Sequence, residues 1–437
     1  MGISKTGTGR TLHQSLRIAL IGGASTIALA AYVPAASAGG FSPKEQSTVF
    51  LGSAFAGSAA GGALSSMFWN SAAVGQFNGI NSESSYSLIL PDSEITATAG
   101  STFLAAGASS GDIGDTAVLP ASYFSYQLSN ELVVGLSVNA PFGLVTDPGK
   151  VWAGSSFARE SAIETYNINP TVAYRLAPWL TVGAGLQVEY FKAYLRQGFG
   201  SPAGPTAITK GDDWAVGYTL GVIVTPASGT TIGVGFRSSI DHELEDSFSI
   251  SGFTNPVAVS AGIETPEILT VSLRQQLTPD WALLGTFEWN NWSRVQELNV
   301  VCGEAGFPCP AAGVTLTSLE LGWHDGYFFS GGLEHNYSDQ LTLRGGVAYE
   351  ISPIQNPDER TIRVPDADRV WLTVGASYKY SEWTTIDFAY AHVFVEDSTT
   401  DRTEAGGARL VGDVESSVDI LSVGWRTKLD WLVSGNY

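Results

Sequence analysis

The chain has 437 residues, of which 15% are charged and 11% aromatic, with 50 glycines and a formal net charge of −20 at pH 7. That charge excludes nucleic acid and anionic membrane surfaces as general partners, since both would repel it. No segment after residue 38 offers about twenty consecutive apolar residues, which excludes a helical membrane protein.

Residues 1–38 read as a secretory signal. Lys5, Arg10 and Arg17 form a basic start, an apolar stretch runs from Ile18 to Val33, and Ala36-Ser37-Ala38 is a small-residue cleavage site. An exported chain of this size without helical spans is expected to be soluble or a β-barrel. From Gly39 to Phe77 no alternation appears, yet Phe41, Phe50, Phe55, Phe68 and Trp69 are too many large apolar groups for a solvated linker. The expected organisation is a signal over 1–38, a packed plug over 39–77 and a barrel over 78–437.

Beyond the plug, alternation with a period of two predicts fourteen strands. They fall near 80–91, 117–128, 131–144, 162–176, 180–196, 213–225, 230–240, 267–277, 281–296, 326–337, 341–352, 369–380, 384–395 and 418–437. An even number suits a closed antiparallel transmembrane barrel with both ends on the periplasmic side. The links at 177–179 and 278–280 are short enough for periplasmic turns. The polar segments 197–212, 241–266 and 397–416 are expected as long outer loops. Alternation is clearest where Val370, Leu372, Val374 and Ala376 oppose Arg369, Thr373, Gly375 and Ser377. In the last strand Val423, Trp425, Leu429 and Trp431 oppose Arg426, Lys428 and Asp430, with Tyr437 as a terminal aromatic. Burying such charges in a dry core would cost far more than lining a wet lumen with them. Glycine lets strands pack closely and bend as a barrel curves.

In the strand 180–196, Leu180, Val182, Leu186, Val188 and Tyr190 are expected to face lipid, and Gln187 and Glu189 the lumen. The inward parity goes on to Phe191 and Leu195, which predicts an apolar upper lumen. Cys302 and Cys309 share one Pro- and Gly-rich loop, where an oxidising exported location favours a disulfide. That loop has no histidine, so no metal site is expected. His242, His324, His335 and His392 are scattered and lack helical ligand spacing. Gly107-Ala108-Ser109-Ser110-Gly111 matches G-x-S-x-G, but in a Gly/Ser/Ala loop rather than a strand-to-helix turn. No catalytic residue is assigned, although a barrel hydrolase using Ser and His from neighbouring strands stays open as an alternative. Alternating charges at Arg363, Asp366, Asp368 and Arg369 are expected to form a salt-bridge network that holds the wall or the plug.

The run Arg363-Val364-Pro365-Asp366-Ala367-Asp368-Arg369-Val370-Trp371 resembles the Ile-Pro-Asp-x-Asp-Arg-x-Trp-Leu signature of the FadL-type outer-membrane transporters of long-chain fatty acids and aromatic hydrocarbons. Leu51 to Ala60 is similar to the start of that family's N-terminal hatch. Phe68-Trp69-Asn70-Ser71-Ala72-Ala73 stands where the family has Phe-x-Asn-Pro-Ala, with Ser71 in place of the proline. The runs from Asn169 to Arg175, from Trp289 to Ser293, from Trp323 to Tyr327 and from Leu341 to Tyr349 also resemble the family, in its order.

The resemblance implies a fourteen-stranded barrel of the bacterial outer membrane with a hatch inside the lumen, Phe55, Phe68, Trp69, Asn70, Ser71 and Ala72 belonging to the hatch. It implies passive uptake of hydrophobic molecules, most of all fatty acids, with aromatic hydrocarbons as the runner-up. No cofactor is implied. The implied partners are those molecules, outer-membrane lipid and the barrel-assembly machinery, with the chain acting as a monomer. Lys192 and Arg196 are the candidate charge partners for a fatty-acid carboxylate, with Phe191 and Leu195 lining the pocket. Pro141, Phe142 and Gly143 resemble the Pro-Phe-Gly segment that ends the family's third strand, and are candidates for a lateral gate. A purely structural or adhesive barrel is the further alternative.

Overall fold

The structure, a computed structural model, describes residues 39–404 and 406–431. The expected signal and residues 432–437 of the expected last strand, including Tyr437, lie outside the described residues; that strand ends at Lys428, so Leu429, Asp430 and Trp431 are not part of it.

Fourteen strands form the wall. The first five are β1 (Ile80–Ala97), β2 (Ser109–Asp112 and Ala117–Gln127), β3 (Leu132–Asn139 and Gly143–Thr146), β4 (Glu160–Ala177) and β5 (Leu180–Gly198). Next come β6 (Thr206–Ala227), β7 (Thr230–Arg237 and Asp241–Ile250), β8 (Val257–Glu264 and Ile268–Gln276), β9 (Trp281–Asn290 and Glu297–Cys302) and β10 (Thr315–Glu320 and Gly326–Asn336). The wall ends with β11 (Leu341–Ile351), β12 (Arg369–Lys379), β13 (Thr384–Val395, extended by Ser398–Thr403) and β14 (Arg409–Lys428). Each strand pairs antiparallel with its neighbours, and β14 closes the barrel on β1 from Asn81↔Lys428 to Ala97↔Gly412. Closure leaves no free sheet edge, which a strand in lipid could not tolerate.

Alternation decides the two faces. Leu186, Val216, Val374 and Phe388 are exposed on the outside, whereas Glu189, Glu288 and Asp387 are buried inside. Trp179, Tyr337, Tyr380 and Trp383 are exposed near the short turns. At the outer level Tyr166, Tyr190 and Trp214 form a contiguous row across β4, β5 and β6, with ring centroids 6.4 and 5.1 Å apart. Two aromatic levels bounding an apolar band are what a membrane-spanning barrel requires.

The three expected long outer loops are for the most part strand. β5 and β6 stay paired up to Gly198↔Thr206, β7 and β8 from Asp241↔Glu264 to Phe248↔Val257, and Ser398–Thr403 pairs with β14. Above the bilayer both faces of a strand meet water or protein, so the apolar/polar alternation is lost while backbone pairing continues.

Residues 39–77 lie against the inner wall. They comprise a helical turn, Thr48–Leu51, and three short 3-10 turns, Ser58–Ala60, Leu64–Phe68 and Ser71–Gln76. Lumen-facing glycines make room for them. A Cβ on Gly375 would stand 2.7 Å from Gly52 Cα, and one on Gly221, Gly233 or Gly346 would overlap atoms of this inner segment.

Candidate functional site

The upper lumen on the β4–β10 side holds an apolar pocket lined by Phe41, Phe191, Leu244, Leu298, Leu321 and Trp323, among others. It contains about 820 Å³ of empty space, part of it open to solvent. Phe41, from the inner segment, sits at its centre, with ring centroids 4.7 Å from Trp292, 5.8 Å from Trp323, 5.9 Å from Phe142 and 6.4 Å from Phe191. Pairing of β5 with β6 runs unbroken from Leu180↔Val224 to Gly198↔Thr206, so the inward parity that buries Gln187 and Glu189 also brings Phe191 and Leu195 to the pocket. A wider vestibule of about 1480 Å³ lies beside it and shares Leu195, Leu298, Leu319 and Arg363 with it; Gln197, Glu320, Arg402 and Glu404 make it polar.

The even-numbered parity of β5 turns Lys192 and Arg196 away from the pocket. Each meets an acid one strand over, Lys192 Nζ at 3.6 Å from Glu164 and Arg196 Nη1 at 2.6 Å from Glu160. A cation that does reach the pocket is Arg363, on the β11–β12 loop, where pocket and vestibule meet. Its guanidinium donates to the carbonyls of Phe157 (2.8 Å), Glu160 (3.3 Å) and Arg196 (3.5 Å), the Ser161 hydroxyl (2.9 Å) and the Gln197 amide oxygen (2.6 Å). All of these acceptors are neutral. Burial lowers the guanidinium to about 10, which leaves it cationic at neutral pH.

Arg363 thereby separates from the network expected of its motif. Asp366 pairs with Arg369 and accepts from Gly40 N–H (2.9 Å) and the Ser352 hydroxyl (2.6 Å). Asp368 accepts from Ser352 N–H (2.8 Å) and the Tyr349 hydroxyl (2.9 Å). These three residues tie the loop, the wall and the inner segment together.

The wall has a break at β3. Pairing with β2 stops at Ser122↔Val138, and pairing with β4 jumps from Asn139↔Asn167 to Gly143↔Glu164. Ala140-Pro141-Phe142 therefore bulges against two residues of β4, and only the bridge Gly114↔Thr146 rejoins the β2 side above. Pro141 has no N–H to give a ladder. The inner segment satisfies the freed groups: Gln46 Nε2 donates to Ala140 O (2.7 Å), Ser42 Oγ to Pro141 O (3.2 Å) and Gly143 N–H to Phe41 O (2.8 Å). Phe41 thus belongs both to the pocket and to the break.

The rest of the inner segment is held by polar contacts to the wall. Lys44 Nζ lies 2.6 Å from Glu288 and 3.6 Å from Glu350, and 4.6 Å from the Phe328 ring centroid. Glu83 accepts from the N–H groups of Leu64 (2.7 Å) and Ser65 (3.1 Å). Phe55 has a φ of 60°, a left-handed conformation held by ring packing on Trp69, Phe328 and Trp371. Arg237 stands over Phe68, 4.5 Å from the ring. Asn70 Oδ1 caps the last 3-10 turn through Ala72 N–H (3.0 Å), and its amide donates to Val222 O (3.0 Å). Ser71 adds a contact no proline could make, a 2.6 Å hydroxyl bond with Thr219.

Cys302 and Cys309 form a disulfide in the β9–β10 hairpin. Among the described residues no group of His, Cys, Asp and Glu is placed to hold a metal. In the G-x-S-x-G stretch, Ser109 bonds Glu94 and Lys150 rather than a histidine. The sequence reading missed Arg363 as the cation at the pocket rim and Phe41 as the pocket's centre; only the size of Phe41 was visible beforehand.

A closed fourteen-stranded wall with an apolar pocket in its lumen and a segment folded inside it defines a barrel built to move apolar solutes. The chain belongs to the outer membrane protein transport protein family (OMPP1/FadL/TodX), whose match covers residues 28–429. Membership makes it a transport protein of the bacterial outer membrane rather than an enzyme. It is 25% identical over 412 residues to the long-chain fatty acid transport protein of Escherichia coli O6:H1, covering 85% of this chain and 90% of that one. To the protein of the same name from Salmonella typhi it is 26% identical over 317 residues, 64% of this chain and 71% of that one. The crystal structure of a Pseudomonas aeruginosa FadL homologue superposes with a TM-score of 0.80 at 21% identity, covering 89% of this chain and 99% of that one. That of the Ralstonia pickettii toluene transporter TbuX gives 0.63 at 20% identity, covering 84% and 94%. At these identities the two structures bear on the fold.

Proposed function

We propose that the chain takes up long-chain fatty acids passively and releases them sideways into the outer membrane. The observation that carries this reading is a buried cation, Arg363, bonded only to neutral acceptors at the rim of an apolar pocket. A carboxylate arriving from the vestibule exchanges one of those neutral acceptors for a charge-assisted bond. Its tail enters the pocket among Phe191, Leu195 and Trp323, driven by burial of about 0.8 kcal/mol per CH₂.

Residues 39–77 act as the hatch and Pro141, Phe142 and Gly143 as the lateral gate. A tail in the pocket competes with Phe41 for the same space, and Phe41 O holds Gly143 N–H across the break. Withdrawal of Phe41 frees the β3 backbone from Gln46 and Ser42, and the tail leaves between β2 and β3 into lipid. The chain works as a monomer, which the closed wall favours, and is inserted by the barrel-assembly machinery. That relatives spanning most of the chain are named long-chain fatty acid transport proteins supports the choice of substrate.

Aromatic hydrocarbons are the second reading, favoured by the edge-to-face rings of Phe41, Phe142 and Trp292 around the pocket. Labelled oleate uptake by cells that lack their own transporter and express this chain tests the first. Uptake no greater than the empty-vector control, with folded protein in the outer membrane, would transfer the assignment to toluene-like solutes.

A further inference from the structure

Three adjacent hairpins carry the wall beyond the membrane: β5–β6, β7–β8 and β9–β10. Their tips, residues 199–205, 251–256 and 303–314, begin at one level. Thr206 pairs with Gly198, its neighbour Ala207 with Ile250, Val257 with Phe248, and Gly303 N–H reaches Ala258 O. Each tip exposes a phenylalanine: Phe199 is 46% exposed, Phe253 74% and Phe307 69%. With strands about 4.8 Å apart, neighbouring tips stand about 10 Å from each other.

These rings are not part of the membrane girdle. From Trp214 in the outer aromatic row, β6 climbs to Thr206, which at about 3.3 Å per residue and a tilt of about 40° raises the tips roughly 20 Å above it. Nor are they the ends of mobile loops. Arg159 Nη2 donates to Pro202 O (2.7 Å) and Gly204 O (2.6 Å), Phe253 N–H to Ile250 O (3.0 Å), and the disulfide closes the third tip.

Charge is scarce at these tips. In a chain of net charge −20, they contain one ionisable side chain, Glu304. The acids of these hairpins, Glu243, Glu245 and Asp246 among them, are exposed lower down, on the paired strands. Below the tips the inner face stays apolar through Phe248, Ile250, Val257 and Val259, and Val259 and Val300 continue into the pocket. An ionic partner would find little to bind at the tips themselves. An apolar interface would accept all three rings and meet a continuous apolar track behind them.

We propose that Phe199, Phe253 and Phe307 dock the outer mouth onto the surface of an uncharged oil droplet, so that solutes dissolved in it pass to the pocket without first dispersing in water. The proposal adds to the uptake role a source for the substrate, and adhesion and uptake can be read separately.

The test uses cells displaying the full chain or its F199S/F253S/F307S variant, with heat-modifiable gel mobility to show that both barrels are folded. A single F253E variant adds a charge to the most exposed tip. Adhesion to hexadecane droplets is expected to fall by about tenfold or more in the triple variant, as three apolar rings no longer leave water. Uptake of labelled oleic acid dissolved in the droplets should fall with it, while uptake of the same acid supplied as a soluble cyclodextrin complex stays at the parent rate. Unchanged adhesion in the triple variant would overturn the docking proposal, as would equal loss of uptake from both supplies with adhesion intact. Should the parent chain adhere yet take up no fatty acid from either supply, the transport reading fails and the docking surface stands.

Discussion

Replacing Arg363 with methionine removes the cation at the pocket rim and leaves an apolar side chain in its place. Arg363 is only 7% exposed, so solvent screens its charge little; its hydrogen-bond acceptors are neutral, and the acid that acts on it is Glu404 of the vestibule. A hydrogen bond to a charged group contributes about 1.5–3 kcal/mol, which is about 10- to 150-fold in Kd. The substitution also strips a donor from Phe157 O, Ser161 and Gln197, so some loss of stability accompanies it. Comparing two ligands with the same tail removes that complication. By titration calorimetry in detergent, R363M should weaken oleate binding by the stated factor and leave oleyl alcohol nearly unchanged. In the parent protein oleate affinity should hold from neutral pH upward and decline as pH approaches about 10, where the guanidinium loses its proton. Equal losses for acid and alcohol, or no loss for the acid, would refute Arg363 as the head-group partner.

K44M removes the buried charge between Glu288 and Glu350, and breaking such a pair costs about 3–5 kcal/mol. Conductance in planar bilayers should rise as the inner segment loosens; a silent channel would count against Lys44 as its pin. Glu45, in the inner segment, is pushed up to about 7 by burial, the carboxyl of an ordinary glutamate lying at 4.5. A raised pKa stabilises the packed segment fully below about pH 4.5 and loses that contribution as pH rises through about 7, roughly 3 kcal/mol in all. Hydrogen exchange of residues 39–77 should therefore quicken across that window and flatten in E45Q; the opposite slope would exclude the mechanism. Continuing the register Ser122↔Val138 sets Leu119 opposite Pro141. An L119C/P141C pair joined by a short dithiol-reactive linker should reduce uptake to background, and undiminished uptake would exclude exit between β2 and β3.

Much of this was legible in the residues. Thirteen of the wall strands lie where alternation set them and the last begins nine residues earlier and ends at Lys428, because the pleat sends successive side chains to opposite faces and lipid and lumen demand opposite polarity. Phe191 and Leu195 were placed in the pocket by parity alone, and Cys302 and Cys309 were paired by being the only two, in one loop. Where alternation faded the reading weakened. The outer extensions of β7 and β8 were taken for loops, and the glycines that accommodate the inner segment looked only like aids to curvature.

What alternation cannot tell is which residue stands across the lumen. Lys192 and Arg196 had the right charge on the right strand, but their even-numbered parity already pointed away from the pocket, and only the fold shows the acids one strand away that hold them. Arg363 looked like one member of a local charge network, and only the folded β11–β12 loop turns it into the lumen. Gly40 meets Asp366 across 326 positions of sequence, and Lys44 meets Glu288 across 244. The sequence by itself determined a barrel, its strands, and which face of each strand is wet. The tertiary structure decided the pocket, its cation and the break at β3, because these arise from contacts between distant segments, for which no local period keeps a record.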